Sequence, residues 1–262
     1  MEINLIYLKI NREEHLRKVK KILQTPNKGG TILVHGPENH GQNCFALLLN
    51  KEFRNANIEI LATIDYGTED REKNVELCLD DLEGILGLSD EKAEINALRD
   101  LKAKRDIHIE DVKIYSLNLE KRNRYKRIEK ITLALQEKLT KPNSRCAIFF
   151  QGLHEARHEI KRSLWNIWCR NWQHLTEMGL IGIWILNRDL KEEIGEPIDI
   201  PCDLIEMTPF TKEDICSFLK EFTNKPDNLL LDIADLLQKL SSKPGGIYNL
   251  LYTLEINGYF CI

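Results

Sequence analysis

Short apolar runs alternate with longer stretches of helical period along most of this chain. Thr31-Ile32-Leu33-Val34-His35 is the first run, and residues 58–64, 146–150, 181–186 and 203–207 supply four more. Their length and apolar character predict strands of a covered sheet. Residues 11–24 predict a helix. Asn11 offers a cap, Glu13 and Glu14 suit the first turn, and Leu16, Val19, Ile22 and Leu23 share one face. Residues 24–30, with Pro26, Gly29 and Gly30, break that helix. Further helices are predicted over 42–54, 156–178, 211–223, 227–240 and 245–256. Residues 66–145 read as a long, charged, mostly helical stretch with a short strand at Val112-Lys113-Ile114-Tyr115. Strands alternating with helices imply an α/β fold built on a parallel sheet flanked by helices on both faces.

Composition narrows the setting. The chain has 262 residues, enough for one large domain or a core with a small appendage. Its net charge of −4 provides no global basic field, which argues against nucleic acid as the main partner. The seven cysteines (44, 78, 146, 169, 202, 216 and 261) are scattered and odd in number. That suits reduced thiols in a cytoplasmic protein better than a disulfide framework. The early polar residues do not read as a signal peptide, and the longest apolar runs are too short to span a bilayer.

The chemistry concentrates after the first strand. Gly36-Pro37-Glu38-Asn39-His40-Gly41-Gln42-Asn43 keeps the glycine frame of G-x-x-x-x-G-K-[ST], with a strand before it and a predicted helix after it. In that motif backbone N–H groups cradle the phosphates, Lys reaches the β/γ-phosphates, and the hydroxyl holds Mg²⁺. Here Gln42 brings no charge, and Asn43 is a poor replacement for the hydroxyl. The plainer alternative is a strand-turn-helix that needs its glycines only for the turn.

A second segment bears on that choice. Phe149-Phe150-Gln151-Gly152-Leu153-His154-Glu155-Ala156 follows an apolar run and resembles the D-G-L-D-E segment of STAND and NACHT-type NTPases. In that frame Gln151 stands where the Mg²⁺-holding Asp belongs, His154 takes the place of the next acid, and Glu155 is retained. A neutral amide does not hold Mg²⁺ as a carboxylate does. Ile10-Asn11-Arg12-Glu13-Glu14 resembles the entry to such domains. Trp184-Ile185-Leu186-Asn187-Arg188 resembles their sensor strand, and Thr208-Pro209-Phe210-Thr211 and Lys243-Pro244-Gly245-Gly246 resemble their helical lid. The order and spacing of these segments extend over nearly the whole chain. In these segments the chain resembles the inactive STAND family of bacterial conflict systems.

That resemblance implies a P-loop NTPase-like domain over 1–208, with a helical insertion at about 66–145, and a helical lid over 209–262. It implies a regulatory or adaptor module with no catalytic residue and no metal, since the Walker A Lys and Walker B Asp are both replaced. The implied protein partners are a MoxR-type AAA ATPase and a von Willebrand factor A domain protein. A relic nucleotide site would comprise Gly36, Gly41, Gln42, Asn43, Gln151, Glu155, Arg188 and Arg12, with Arg12 near the base. The alternative within the same fold is a switch that binds ATP or ADP weakly.

Other motifs need separate readings. His154-Glu155-Ala156-Arg157-His158 is a literal H-E-x-x-H. On one helix it would aim two imidazoles at zinc with Glu155 as base, and Glu177 falls at a third-ligand spacing used by some zinc aminopeptidases. Against this, Arg157 would crowd the cation. An unbroken helix over 156–178 would also hold Glu177 about 28 Å from His158. Trp165, Trp168 and Trp172 form a stripe that predicts core packing against the sheet, with a partner surface as the other reading. The basic run 121–127 reads as a solvated helix face or a nucleic-acid contact. Asp65, Asp80, Asp81 and Glu83 follow no ligand spacing and read as surface or helix-end charges.

Overall fold

A computed structural model of the chain describes residues 10, 12–37, 40–67, 74–88, 109–142, 144–186, 200–222, 225–241 and 243–256. The side chains of residues 109–122, 222, 245, 252 and 254–256 are not part of that description. Five strands are present: β1 Gly30–His35, β2 Glu59–Asp65, β3 Cys146–Gln151, β4 Leu180–Ile185 and β5 Asp203–Glu206. They form one sheet in the order β2-β3-β4-β1-β5, and every pairing is parallel. Ile32 of β1 lies between Ile183 of β4 and Asp203 of β5, while Phe149 of β3 lies between Thr63 of β2 and Ile183. The strand order reverses at β1, where the chain passes from the β4 side to the edge strand β5. Ligand crevices in open α/β sheets form at the carboxyl end of such a reversal.

The period-2 alternation of the strands divides the core into two layers. Ile32, Val34, Phe149 and Ile183 point to one face. There they meet Val19 of α1 (Glu13–Gln24) and Phe45, Leu49 and Phe53 of α2 (Gln42–Asn55). The same buried cluster continues through Phe210 into α6 (Lys212–Phe222), α7 (Asp227–Leu240) and α8 (Pro244–Ile256). Leu33, Ile148, Phe150 and Trp184 point to the opposite face. That face is covered by α3 (Val75–Ile85), α4 (Ile109–Leu139) and α5 (His158–Ile167). Among the described residues no helix is long and apolar enough to cross a membrane.

The tryptophan stripe is core. Trp168 and Trp172 are fully buried, and Trp184 stacks on Phe150 with 4.1 Å between ring centroids. A Cβ at Gly182 of β4 would lie 2.3 Å from Cη2 of Trp168, so the missing side chain is what admits the indole. Trp168 Nε1 donates to Thr31 Oγ1 (3.0 Å), and Trp172 Nε1 donates to Thr132 Oγ1 (3.1 Å). These bonds remove the penalty of burying the two N–H groups.

Several expectations change. The segment 112–115 is not a strand but part of α4, a single helix of 31 residues. No Gly or Pro interrupts 109–139, and a four-residue apolar alternation is too short to fix its own period. The stretch predicted as one helix over 156–178 starts at His158, widens to a π turn at Trp168–Trp172 and tightens to a 3₁₀ helix at Gln173–Met178. Helix α1 begins at Glu13 with no side-chain cap bond from Arg12, and Asn11 lies outside the described residues. The basic run is not simply solvated. Arg124 pairs with Glu76 (2.6 Å), and Arg127 pairs with Glu76 (2.7 Å), Asp80 (2.5 Å) and Glu83 (2.8 Å) of α3. Burial opposes the Arg127 charge, yet the bonds from Glu83 and Asp80 outweigh it and hold the guanidinium above its ordinary range. Asp80 and Glu83 therefore join α3 to α4, Asp80 from a surface position and Glu83 from a more buried one.

Candidate functional site

The 36–43 loop leaves β1 at the strand reversal. Gly36 has φ 151°, and a Cβ there would lie 2.6 Å from the Met207 carbonyl oxygen. Only a bare glycine lets the chain beyond β5 approach so closely. Gly41, at φ 91° and ψ 18°, occupies the N-cap position of α2, and Phe45 N donates to its carbonyl at 2.8 Å. Gln42 opens the helix and is 1% exposed. Its Nε2 donates to the carbonyls of both Gly36 and Pro37, each at 2.8 Å. The amide therefore folds back into its own loop, where it satisfies the buried Gly36 carbonyl and shares the Pro37 carbonyl with His40 N (3.3 Å). Asn43 is exposed, while Glu38 and Asn39 lie outside the described residues.

A second group closes over this loop. Arg12 is 0% exposed, and its Nη2 donates to the carbonyls of His40 (3.0 Å) and Thr208 (3.3 Å). The guanidinium lies 4.9 Å from the centroid of the Phe210 ring, within cation–π range. Burial lowers the Arg12 pKa, and Tyr248, which hydrogen-bonds it, offsets part of that effect. The same burial pushes the Tyr248 hydroxyl up. Tyr248 meets Phe210 edge-on at 5.4 Å, and its Cε2 lies 3.4 Å from where a Cβ of Gly41 would stand. Helix α8 thus rests its aromatic side chain directly on the loop. His15, one turn along from Arg12, is kept neutral to about pH 4 by burial, then by the charges of Arg12 and Lys18.

The end of β3, two places from β1, is built differently. Gln151 Nε2 donates to Asp65 Oδ2 at 2.9 Å, and Gly67 N donates to Asp65 Oδ1 at 2.8 Å. Gly152, at φ 66°, lies so close that a Cβ would fall 2.1 Å from Gly67 N and 2.4 Å from Asp65 Oδ1. Asp65 is therefore the knot that ties the ends of β2 and β3. Its reading as a surface charge is corrected by the half-buried position it takes beside Gln151.

The backbone overturns the zinc reading of 154–158. His154 and Glu155 sit in a 3₁₀ turn, Leu153–Glu155, and Ala156 and Arg157 are extended before α5 starts at His158. The two histidines are not one helical turn apart on a common face, as zinc ligation by this motif requires. His154 Nε2 instead lies 3.4 Å from Glu155 Oε1, and Glu177 lies 3.9 Å from Lys28. Among the described residues no group of three His, Cys, Asp or Glu side chains is placed to hold a metal.

The structure thus gathers Gly36, Gly41, Gln42 and Arg12 at one point, and sets Gln151 at the end of β3, two places from β1, with Glu155 shortly after it. Arg188 lies outside the described residues. Asp65 and Tyr248 belong to the site but had no spacing that announced them. A groove of about 430 Å³ lined by Leu16, Arg17, Lys20, Gln24 and Glu52 lies along α1 and α2, and no loop residue lines it. It is not the site: its cations are exposed, and Lys20 already pairs with Glu52 at 3.5 Å.

The chain is similar in structure to Cdc6p from Pyrobaculum aerophilum, at 13% identity and a TM-score of 0.50, over 94% of this chain and 62% of that one. It is also similar to Drosophila ORC, solved bound to DNA, at 11% identity and a TM-score of 0.51, over 98% of this chain and 65% of that one. The fold is P-loop NTPase-like. At these identities the fold alone is shared, and the chain spans slightly under two thirds of the length of each of these proteins. No protein-family model matches the chain, and no curated protein matches it. Within the P-loop NTPase-like frame, 36–43 is the loop that opens α2, and Gln151 ends the strand two places from β1.

Proposed function

We propose that this chain is a non-hydrolysing P-loop NTPase-like module that works through protein contacts. The observation that carries the reading is the inward bonding of Gln42, whose amide bonds the Gly36 and Pro37 carbonyls beneath Tyr248 and Arg12. A catalytic loop needs a cation aimed at the phosphates, and removing one such contact costs on the order of a hundredfold or more in rate. Gln151 adds to this, since its amide donates to Asp65 and offers Mg²⁺ no charge. The resemblance to inactive STAND proteins supplies the setting: an adaptor or regulator in a bacterial conflict system, beside a MoxR-type AAA ATPase and a von Willebrand factor A domain protein. DNA is not proposed as a ligand. Arg124 and Arg127, two cations of the basic run, are already engaged by the acids of α3.

Phosphate release and calorimetric titration with ATP and Mg²⁺ test the first part. The expected results are no turnover above blank and no binding heat. Turnover that disappears in Gly41→Asp would defeat the proposal, while binding heat without turnover would favour the weak nucleotide switch. Co-purification with the products of adjacent genes tests the second part. Binding of an ATPase or von Willebrand factor A partner that survives Gln42→Ala supports the adaptor role, and failure of all of them to bind removes it.

A further inference from the structure

Helix α7 buries one stripe and leaves another bare. Leu230, Ala234 and Leu237 are buried in the core shared with the sheet. Leu229, Leu236 and Leu240 are 41%, 56% and 62% exposed, and Ile233 between them is only partly buried. The spacings in Leu229, Ile233, Leu236 and Leu240 are those of d-a-d-a positions in a coiled-coil seam. A helix that served only its own core would need the first stripe alone.

The flanks of the seam select the occupant. In this register Asp232 and Lys239 are both g positions, and both are exposed. Antiparallel pairing about a two-fold axis sets g against g′, so Asp232 of one copy meets Lys239 of the other, twice by symmetry. Parallel pairing would set g against e′, and the e positions are Leu230 and Leu237, buried leucines that offer no charge to Asp232 or Lys239. Lys239 also pairs within the chain with Asp235, a c position, at 2.5 Å, and this exposed bridge would be exchanged for or shared with Asp232 of the second copy.

We infer that α7 is a homodimer seam, joining two copies antiparallel through Leu229, Ile233, Leu236 and Leu240 with Asp232 facing Lys239 across the axis. The seam is short: a 14-residue helix is about 21 Å long. The dimer is accordingly a weak one, with a dissociation constant on the order of 10 µM. This inference is independent of whether the 36–43 loop meets a nucleotide.

Sedimentation velocity of the whole chain from about 1 to about 200 µM tests it. The expected result is a reversible monomer–dimer equilibrium. Leu236→Glu should abolish it with little change in thermal midpoint, because that side chain is mostly exposed. Asp232→Lys and Lys239→Asp should each weaken dimerisation about tenfold, and the double exchange should restore it. A chain that remains monomeric throughout, or a dimer indifferent to Leu236→Glu, overturns the seam. A double exchange weaker than either single change overturns the antiparallel register.

Discussion

Two amides stand at the carboxyl edge of the sheet, and they deal with burial in different ways. Gln42 is wholly enclosed and donates to uncharged carbonyls of its own loop, beneath a buried arginine and a tyrosine. Gln151 is half-buried and donates to a carboxylate on the neighbouring strand. At the loop, a second cation in place of Gln42 would be buried in the same region as the Arg12 charge. At the end of β3, an acid in place of Gln151 would face Asp65 across a hydrogen-bond distance, and two carboxylates so placed do not both ionise easily. In both places the neutral side chain avoids setting a like charge beside its neighbour. The difference lies in enclosure: the loop end is sealed by packing, while the end of β3 is held by a polar knot near solvent.

That contrast can be broken or sharpened by measurement. The largest effect is expected at the knot's backbone. Gly152→Val places a Cβ against Gly67 N and Asp65 in a left-handed conformation, and should cost more than about 3 kcal/mol in urea unfolding. A loss below about 1 kcal/mol would mean that the knot yields freely. Gln42→Ala should cost about 2–3 kcal/mol, because the buried Gly36 carbonyl loses its donor, Pro37 keeps only His40 N, and a small cavity is left. The enclosure of the loop end also predicts a dependence on pH. His15 has a folded pKa of about 4 against an ordinary 6.5, so the unfolded chain binds the proton more readily. Its contribution is complete above about pH 6.5 and is lost as pH falls toward 4, by about 1–2 kcal/mol after allowance for partial exposure. Stability measured across that range should flatten in His15→Gln, and an unchanged slope would show that the imidazole is not sealed. Gln151→Ala should cost least, about 0.5–1 kcal/mol, since solvent replaces its single bond. Equal costs for the Gln42 and Gln151 changes would erase the distinction between the two ends.

Strands β1, β3 and β4 were legible because each is an apolar run buried along almost its whole length, and the edge strands β2 and β5 were legible from shorter apolar stretches between charged ends. The glycine frame at 36–41 was legible for a related reason, since positive φ and close backbone approach leave few alternatives to glycine. Other features were not. The strand expected at 112–115 dissolved into α4 because helix and strand periods cannot be separated in four residues. The H-E-x-x-H match failed because a 3₁₀ turn and two extended residues, rather than one helix, join its histidines. Asp65 and Tyr248 reached the site from distant parts of the chain, where no local spacing marks them.

By itself, then, the order of residues determined which segments are strands, where the loop must turn, and that the charges at positions 42 and 151 are missing. Tertiary structure alone decided what the two amides do instead. A hydrogen-bond partner is chosen by which groups the folded chain brings within reach, and Gln42 met its own loop where Gln151 met Asp65. It likewise decided that one stripe of α7 is core and the other bare, because a helix with apolar residues on two arcs does not specify which arc its own sheet will cover.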